Sequence, residues 1–284
     1  MEIKKVGVAG CGTMGSGVTQ VCAQSGYQVV VSEISEELLK KGLASIDKQL
    51  ARNVERGRMS QEDKDATLSR IKGTTNTKDF SDCNLVIEAA IENLDLKKKI
   101  FAELDEICPK DTILATNTSC LSVIDIAKAT NRIDKVLGLH FFNPAPVMKL
   151  LEIVKTIATS DAILKVAQDF GKSLGKTTVI APDAPGFIVN RLWIPYELDA
   201  IRMLETGTAT KEDIDTAINT GLNYPMGPLT LVDLTGLDVL LFVADAMYEE
   251  LKDPRFAAPT LLRKMVAAGW LGRKTGKGFY EYSK

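Results

Sequence analysis

The chain holds one histidine, five cysteines and no surplus of either charge. Each shortage narrows what it can be. The cysteines (Cys11, Cys22, Cys83, Cys108, Cys120) are scattered and odd in number, with no Cys-x-x-Cys pair, and a lone His140 cannot complete a Cys/His cage. A zinc site and a disulfide framework are therefore not expected, and no metal is assigned. With 35 basic against 37 acidic residues the net charge is −2, so no overall field draws the protein to nucleic acid or to an anionic membrane. No apolar run reaches the roughly 18 to 20 residues that span a bilayer. Strand-like sequence starts at Ile3, leaving no room for a leader, and a cytoplasmic location is the expectation.

What is present is ordinary globular material: 45% hydrophobic and 25% charged residues over 284 positions, enough for one large domain or two smaller ones. Up to about residue 180, short β-branched runs alternate with helical patterns, which is how βαβ units read. Expected strands are Val6–Ala9, Gln28–Ser32, Leu85–Glu88, Thr112–Thr116, Val136–His140, Leu150–Val154 and Thr177–Ile180. A charged helical stretch from Glu36 to Ile71, broken near Gly57, is too long for a simple crossover and should project as a helical hairpin. The texture changes at Ala181-Pro-Asp-Ala-Pro-Gly186, where two prolines and a glycine stop the strand. Beyond it the periodicity is helical, with Thr210-Lys-Glu-Asp213 as a capping box and Gly278 to Tyr282 as the one candidate strand. The expected fold is α/β: a Rossmann-type, mostly parallel sheet with a helical hairpin insertion over residues 1–183, followed by a smaller all-α domain over 184–284.

Gly10-Cys-Gly12-Thr13-Met14-Gly15 follows the first strand and opens a helix. Gly10 would make the tight turn, Gly12 would let a pyrophosphate approach the backbone, and Gly15 would let helix and strand pack closely. The helix N-terminus adds free N–H groups and a partial positive charge. Glu33 closes the second strand, 18 residues after Gly15. An acid there accepts hydrogen bonds from ribose hydroxyls and repels a 2′-phosphate, which favours NAD over NADP. The alternative is a glycine-rich turn before a surface glutamate.

His140 ends an expected strand, in Leu137-Gly-Leu-His140-Phe-Phe-Asn143. Oxidising a secondary alcohol with NAD requires a proton acceptor, and imidazole suits that task near neutral pH. A lone histidine beside two phenylalanines also reads as a satisfied core residue. Twelve residues on, Glu152 is the one acid inside the apolar strand Leu150–Val154. Burying it unpaired would be costly, and His140 is the nearest plausible partner; a strand-edge glutamate in solvent is the other reading. The polar burst Thr116-Asn117-Thr-Ser119-Cys120 ends another strand, where it could face a ligand or serve as a turn and helix cap. Asn190, in Gly186-Phe-Ile-Val-Asn190-Arg191, could address a substrate or face solvent.

Taken together, Gly10-x-Gly12-x-x-Gly15, Glu88-Ala-Ala-Ile-Glu92-Asn93, Ala115-Thr-Asn117-Thr-Ser119, Gly138-Leu-His140-Phe-Phe-Asn143-Pro-x-Pro146-Val-Met, Pro185-Gly-Phe-Ile-Val-Asn190-Arg191 and Tyr224-Pro-Met-Gly-Pro228 resemble the short-chain L-3-hydroxyacyl-CoA dehydrogenases, in order and over essentially the whole chain. The resemblance implies an NAD-dependent oxidoreductase acting on an acyl-CoA substrate, a short 3-hydroxyacyl-CoA such as 3-hydroxybutyryl-CoA, with acetoacetyl-CoA as its oxidised form. It implies His140 as the acid/base with Glu152 as its partner, and Ser119 and Asn190 as hydrogen-bond donors to the substrate's 3-oxygen and acyl group. It further implies that Glu92, Lys97 and Asn117 contact the nicotinamide half of the cofactor, and that the second domain makes a homodimer. One departure is Glu33, where many relatives carry Asp.

A CoA substrate also brings phosphates. Lys48, Arg52 and Arg56 are spaced i, i+4, i+8 and would share one helix face, either as a solvated charged face or as the site for the nucleotide end of CoA. Two other classes remain at this point: an enzyme of the same fold acting on a free hydroxy acid, and a non-catalytic NADH-binding scaffold.

Overall fold

A computed structural model describes residues 2–283. The chain divides into two compact units, one up to Ala184 and one from Pro185 onward.

In the first unit, the β-branched runs form an eight-stranded sheet in the order β3-β2-β1-β4-β5-β6-β7-β8. The strands are β1 (Lys5–Ala9), β2 (Gln28–Ser32), β3 (Ile71–Thr74), β4 (Leu85–Glu88), β5 (Ile113–Thr116), β6 (Val136–Phe141), β7 (Leu150–Lys155) and β8 (Thr177–Pro182). All neighbours are parallel except β6 and β7, which run antiparallel. Strands β1, β4, β5 and β6 read as unbroken apolar runs because both faces of the sheet are covered. Val6, Val8, Leu85, Ile87, Ile113, Ala115, Leu137 and Leu139 are all buried in one core. The cover comes from α1 (Thr13–Gln24), α2 (Glu36–Glu55), α3 (Gln61–Ser69), α4 (Leu94–Ile107), α5 (Val123–Ala127) and α6 (Asp161–Ser173). Strand order reverses about β1 and β4, and ligands of such open sheets lie beyond the carboxyl ends of the strands at that switch point. The mostly parallel α/β fold expected from the sequence is thus borne out.

The hairpin insertion is present as α2 and α3, with Ser35 and Ser60 as N-caps and Gly57 at φ +64° in the turn between them. Its far boundary differs from expectation. The helix stops at Ser69, and Ile71 begins an edge strand paired with Val29 to Ser32 of β2.

The second unit is helical: α7 (Val189–Glu205), α8 (Lys211–Gly221), α9 (Pro228–Thr235), α10 (Leu237–Leu251) and α11 (Thr260–Ala267). Leu198, Ile201, Leu229, Val232, Leu237, Ala244, Met247 and Phe256 form its core. Thr210 caps α8 as the sequence suggested, its hydroxyl accepting from the Asp213 N–H. No strand forms over Gly278 to Tyr282. Two isolated bridges are all that the ladder offers there, because the buried carboxylate of Asp233 takes the N–H groups of Phe279 and Tyr280 and the Tyr282 hydroxyl instead. Among the described residues, no helix is long and apolar enough to cross a membrane.

Candidate active site

The glycine-rich turn leaves β1 at Gly10, whose φ of +106° lies in a region that favours glycine. A Cβ on Gly15 would stand 1.9 Å from the Gly10 carbonyl oxygen, so α1 can approach β1 only because that side chain is missing. At Gly12 a Cβ would meet nothing within 4 Å, which leaves open ground over the helix start. Gly12 is also the N-cap and supplies no capping side chain; Gly12 and Thr13 are exposed, and Met14 is half-buried behind them. This cradle fits a pyrophosphate, which would take the first-turn N–H groups. Glu33, just past β2, accepts from the Cys11 N–H through Oε1 (2.8 Å) and from the Ile34 N–H through Oε2 (3.0 Å). A carboxylate has lone pairs enough to accept ribose hydroxyls as well. Burial, then the charge of Glu33, pushes the Cys11 thiol up to about 11, so the loop carries no thiolate to repel a phosphate.

At the carboxyl end of β4, Glu88 is fully buried and both its oxygens are engaged. Oε1 accepts from Lys97 Nζ (2.7 Å) and the Ala90 N–H (2.7 Å), and Oε2 from the Thr116 hydroxyl at the end of β5 (2.7 Å). Lys97, on α4 and also without exposed surface, reaches Glu92 Oε2 at 3.4 Å. Glu92 Oε1 in turn accepts from the Ser119 N–H (2.9 Å) and from the Thr118 hydroxyl. Three charges and two hydroxyls therefore hold the loop that carries Ser119. The residues alone gave Glu88 no role, although the signal was there: an acid in an apolar strand, as with Glu152.

Asn117 lies between this network and β6. Its N–H donates to the Glu88 carbonyl (2.8 Å), and its Oδ1 accepts from the Phe141 N–H (2.9 Å). One residue before Phe141 stands His140, 4% exposed, directly opposite Glu152 in the antiparallel register of β6 and β7. Nδ1 lies 2.7 Å from Glu152 Oε2, and the carboxylate has no exposed surface. The reading of Glu152 as a strand-edge glutamate in solvent is therefore excluded. A carboxylate accepts, so the hydrogen sits on Nδ1 and Nε2 is the basic nitrogen. The Phe142 ring packs against the imidazole at 4.5 Å between centroids, tilted by 52°.

The structure thus brings His140, Glu152, Asn117, Ser119, Glu92 and Lys97 to the carboxyl ends of β4, β5 and β6 and the adjoining strand β7. Lys48 and Arg52 sit exposed on α2; Arg56, expected on the same helical face, is instead its C-cap, one residue past the last helical position. Asn190 occupies the first turn of α7 in the second unit and is half-buried.

An imidazole braced by an acid, on the same sheet as a dinucleotide cradle, is equipment for moving a proton while a nicotinamide moves a hydride. That is the work of a nicotinamide-dependent oxidoreductase. Comparison with known proteins agrees and narrows the class. Residues 5–184 match the family described as 3-hydroxyacyl-CoA dehydrogenase, NAD binding domain, and residues 186–282 match 3-hydroxyacyl-CoA dehydrogenase, C-terminal domain. A 3-hydroxybutyryl-CoA dehydrogenase of Mycobacterium tuberculosis is 47% identical over 282 residues, covering 99% of each chain. One from Clostridioides difficile is 45% identical over 99% of this chain and 100% of its own. Crystal structures of M. tuberculosis FadB2 (47% identity, TM-score 0.98) and of (S)-3-hydroxybutyryl-CoA dehydrogenase PaaH1 from Ralstonia eutropha (43%, TM-score 0.95) each match over the full length of both chains. The chain belongs to the 3-hydroxyacyl-CoA dehydrogenase family, and its cofactor is NAD.

Proposed function

We propose that the protein moves a hydride between NAD(H) and C3 of a short-chain (S)-3-hydroxyacyl-CoA, with 3-hydroxybutyryl-CoA and acetoacetyl-CoA as its substrate pair. The observation that carries the reading is the His140–Glu152 pair at 2.7 Å, at the end of a strand that ligands of this fold approach.

In the oxidative direction, His140 takes the 3-hydroxyl proton at Nε2 as the C3–H bond gives up its electron pair, and the alcohol becomes a ketone. Bound NAD supplies the hydride acceptor. The imidazolium that forms is stabilised by Glu152, whose charge is already 2.7 Å away and needs no reorganisation. Ser119 and Asn190 are the proposed hydrogen-bond donors to the 3-oxygen and acyl group. Glu92, Lys97 and Asn117 are proposed to address the nicotinamide half of the cofactor, and Glu33 its adenosine ribose. In reduction the imidazolium returns the proton to the ketone oxygen.

Lys48, Arg52 and Arg56 are proposed to meet the phosphates of CoA. A homodimer, a cytoplasmic location and a place in fatty-acid and butanoate metabolism complete the proposal, supported by the family likeness and by the apolar helices of the second unit. NADH oxidation measured with acetoacetyl-CoA, with free acetoacetate and with neither tests it. Turnover is expected with the thioester alone. Equal rates with the free acid would remove CoA from the reading, and no turnover with either would leave a nucleotide-binding scaffold.

A further inference from the structure

The eight residues 142–149 join the strand carrying His140 to the strand carrying Glu152, and one lysine from another part of the chain closes them. Lys176, on the approach to β8, is 8% exposed. Its Nζ donates to the Ala145 carbonyl at 2.5 Å and to the Met148 carbonyl at 2.7 Å, one on each arm of the loop. Among the described residues no carboxylate pairs with it. The thiol of Cys22 on α1, which interacts with it, is pushed up to about 12 by burial, so the ammonium is held by carbonyl dipoles rather than by an anion. A buried cation without a counter-ion is costly, and a surface lysine would have served the loop's solubility as well.

The loop also lies against the dinucleotide helix. A Cβ on Gly17 of α1 would stand 3.2 Å from Ala145 Cβ and 3.3 Å from Pro146 Cδ, so loop and helix are in close contact where Gly17 lacks a side chain. Ala145, which Lys176 holds by its carbonyl, is 2% exposed in that contact. The loop is therefore fixed at both ends by the strands of the acid/base pair, and between them by contact with α1 and by the Lys176 ammonium.

We propose that Lys176 is a positioning residue: by closing the 142–149 loop against α1, it sets His140 relative to the helix that binds the dinucleotide. The inference rests on the proposed role of His140. It predicts that disturbing the loop changes chemistry and cofactor binding together, even though Lys176 touches neither.

The test is K176M, which keeps the length of the stem and removes the ammonium, with K176R as the conservative variant and G17A as an independent push on the same loop from the α1 side. The readouts are kcat with acetoacetyl-CoA, the dissociation constant of NADH by fluorescence titration, and the melting temperature. K176M is expected to lower kcat by about ten- to a hundredfold, since small misplacements of a reacting group carry costs of that order, and to weaken NADH binding about threefold or more. K176R should recover most of both. Should K176M not fold, G17A decides, with the same paired change expected. A variant that loses only melting temperature, with kcat and NADH affinity within twofold of the parent, overturns the proposal. Full activity in H140Q would instead remove the role of His140 itself, so the two failures are separable.

Discussion

Glu197 lies on the core-facing side of α7, between Ile194 and Ile201, and is 1% exposed. Its Oε1 is buried without a hydrogen-bond partner. Desolvation raises its carboxyl to about 8, against a hydrogen bond with the Trp193 side chain that acts to lower it. The unfolded chain loses this proton near pH 4.5 and the folded chain near 8. Folding therefore takes up a proton throughout that interval. The stability tied to Glu197 is fully present below about pH 4.5, falls as pH rises, and is gone above about 8. At roughly 1.4 kcal/mol per pH unit, the loss reaches on the order of 3 kcal/mol by pH 7. E197Q keeps the shape and never ionises. At pH 5 it should match the parent closely. At pH 7 it should be the more stable protein, with a melting temperature higher by roughly 5–10 °C for a chain of this size. Calorimetry of both proteins from pH 5 to 8.5, at one protein concentration, separates Glu197 from every other titrating group because only the difference is read. Parallel curves across that range would refute the reasoning and show that the carboxyl stays ionised or finds a partner.

H140Q is expected to lower kcat by about 10²- to 10⁴-fold while the NADH dissociation constant stays close to that of the parent, read by stopped-flow turnover and fluorescence titration; near-full activity would end the acid/base assignment. Replacing Arg52 and Arg56 together by alanine should raise KM for acetoacetyl-CoA by roughly three- to tenfold at low salt and leave KM for its pantetheine analogue unchanged. Equal increases for both substrates would show that α2 does not meet the nucleotide end of CoA.

How much of this was legible in the residues depends on what kind of partner each group has. The glycine turn, Glu33 and the strands around them could be read because their spacing is set by backbone geometry that few other residues satisfy. His140 and Glu152 could be paired from sequence because a lone acid in an apolar strand must find a counter-group, and one imidazole was available. The antiparallel register that puts them face to face was not read, although the eight residues between the two strands are too few for a parallel crossover. Strand β3 was missed because Ile-Lys-Gly-Thr has no apolar alternation; it is a short edge, and Gly73 packs closely under Leu43, where a Cβ would stand 2.9 Å from Cδ1. Lys176 was invisible for a plainer reason. Its partners are carbonyl oxygens, which every residue supplies, so no side-chain pattern marks them.

The acids at the sheet edge also show why resemblance in type does not make resemblance in role. Glu88 and Glu152 both sit without exposed surface in apolar strands. Glu88 takes an ammonium, a backbone N–H and a hydroxyl, which fixes three elements at once. A carboxylate engaged in this way holds the Lys97 and Thr116 bonds that set the Glu92–Ser119 loop, so it serves as scaffold. Glu152 meets an imidazole, and imidazole has two nitrogens. The bond through Nδ1 persists whether or not Nε2 carries a proton, so the pair can change charge without changing shape. Of these two buried pairs it is therefore His140–Glu152, and not Lys97–Glu88, that suits the proposed proton transfer.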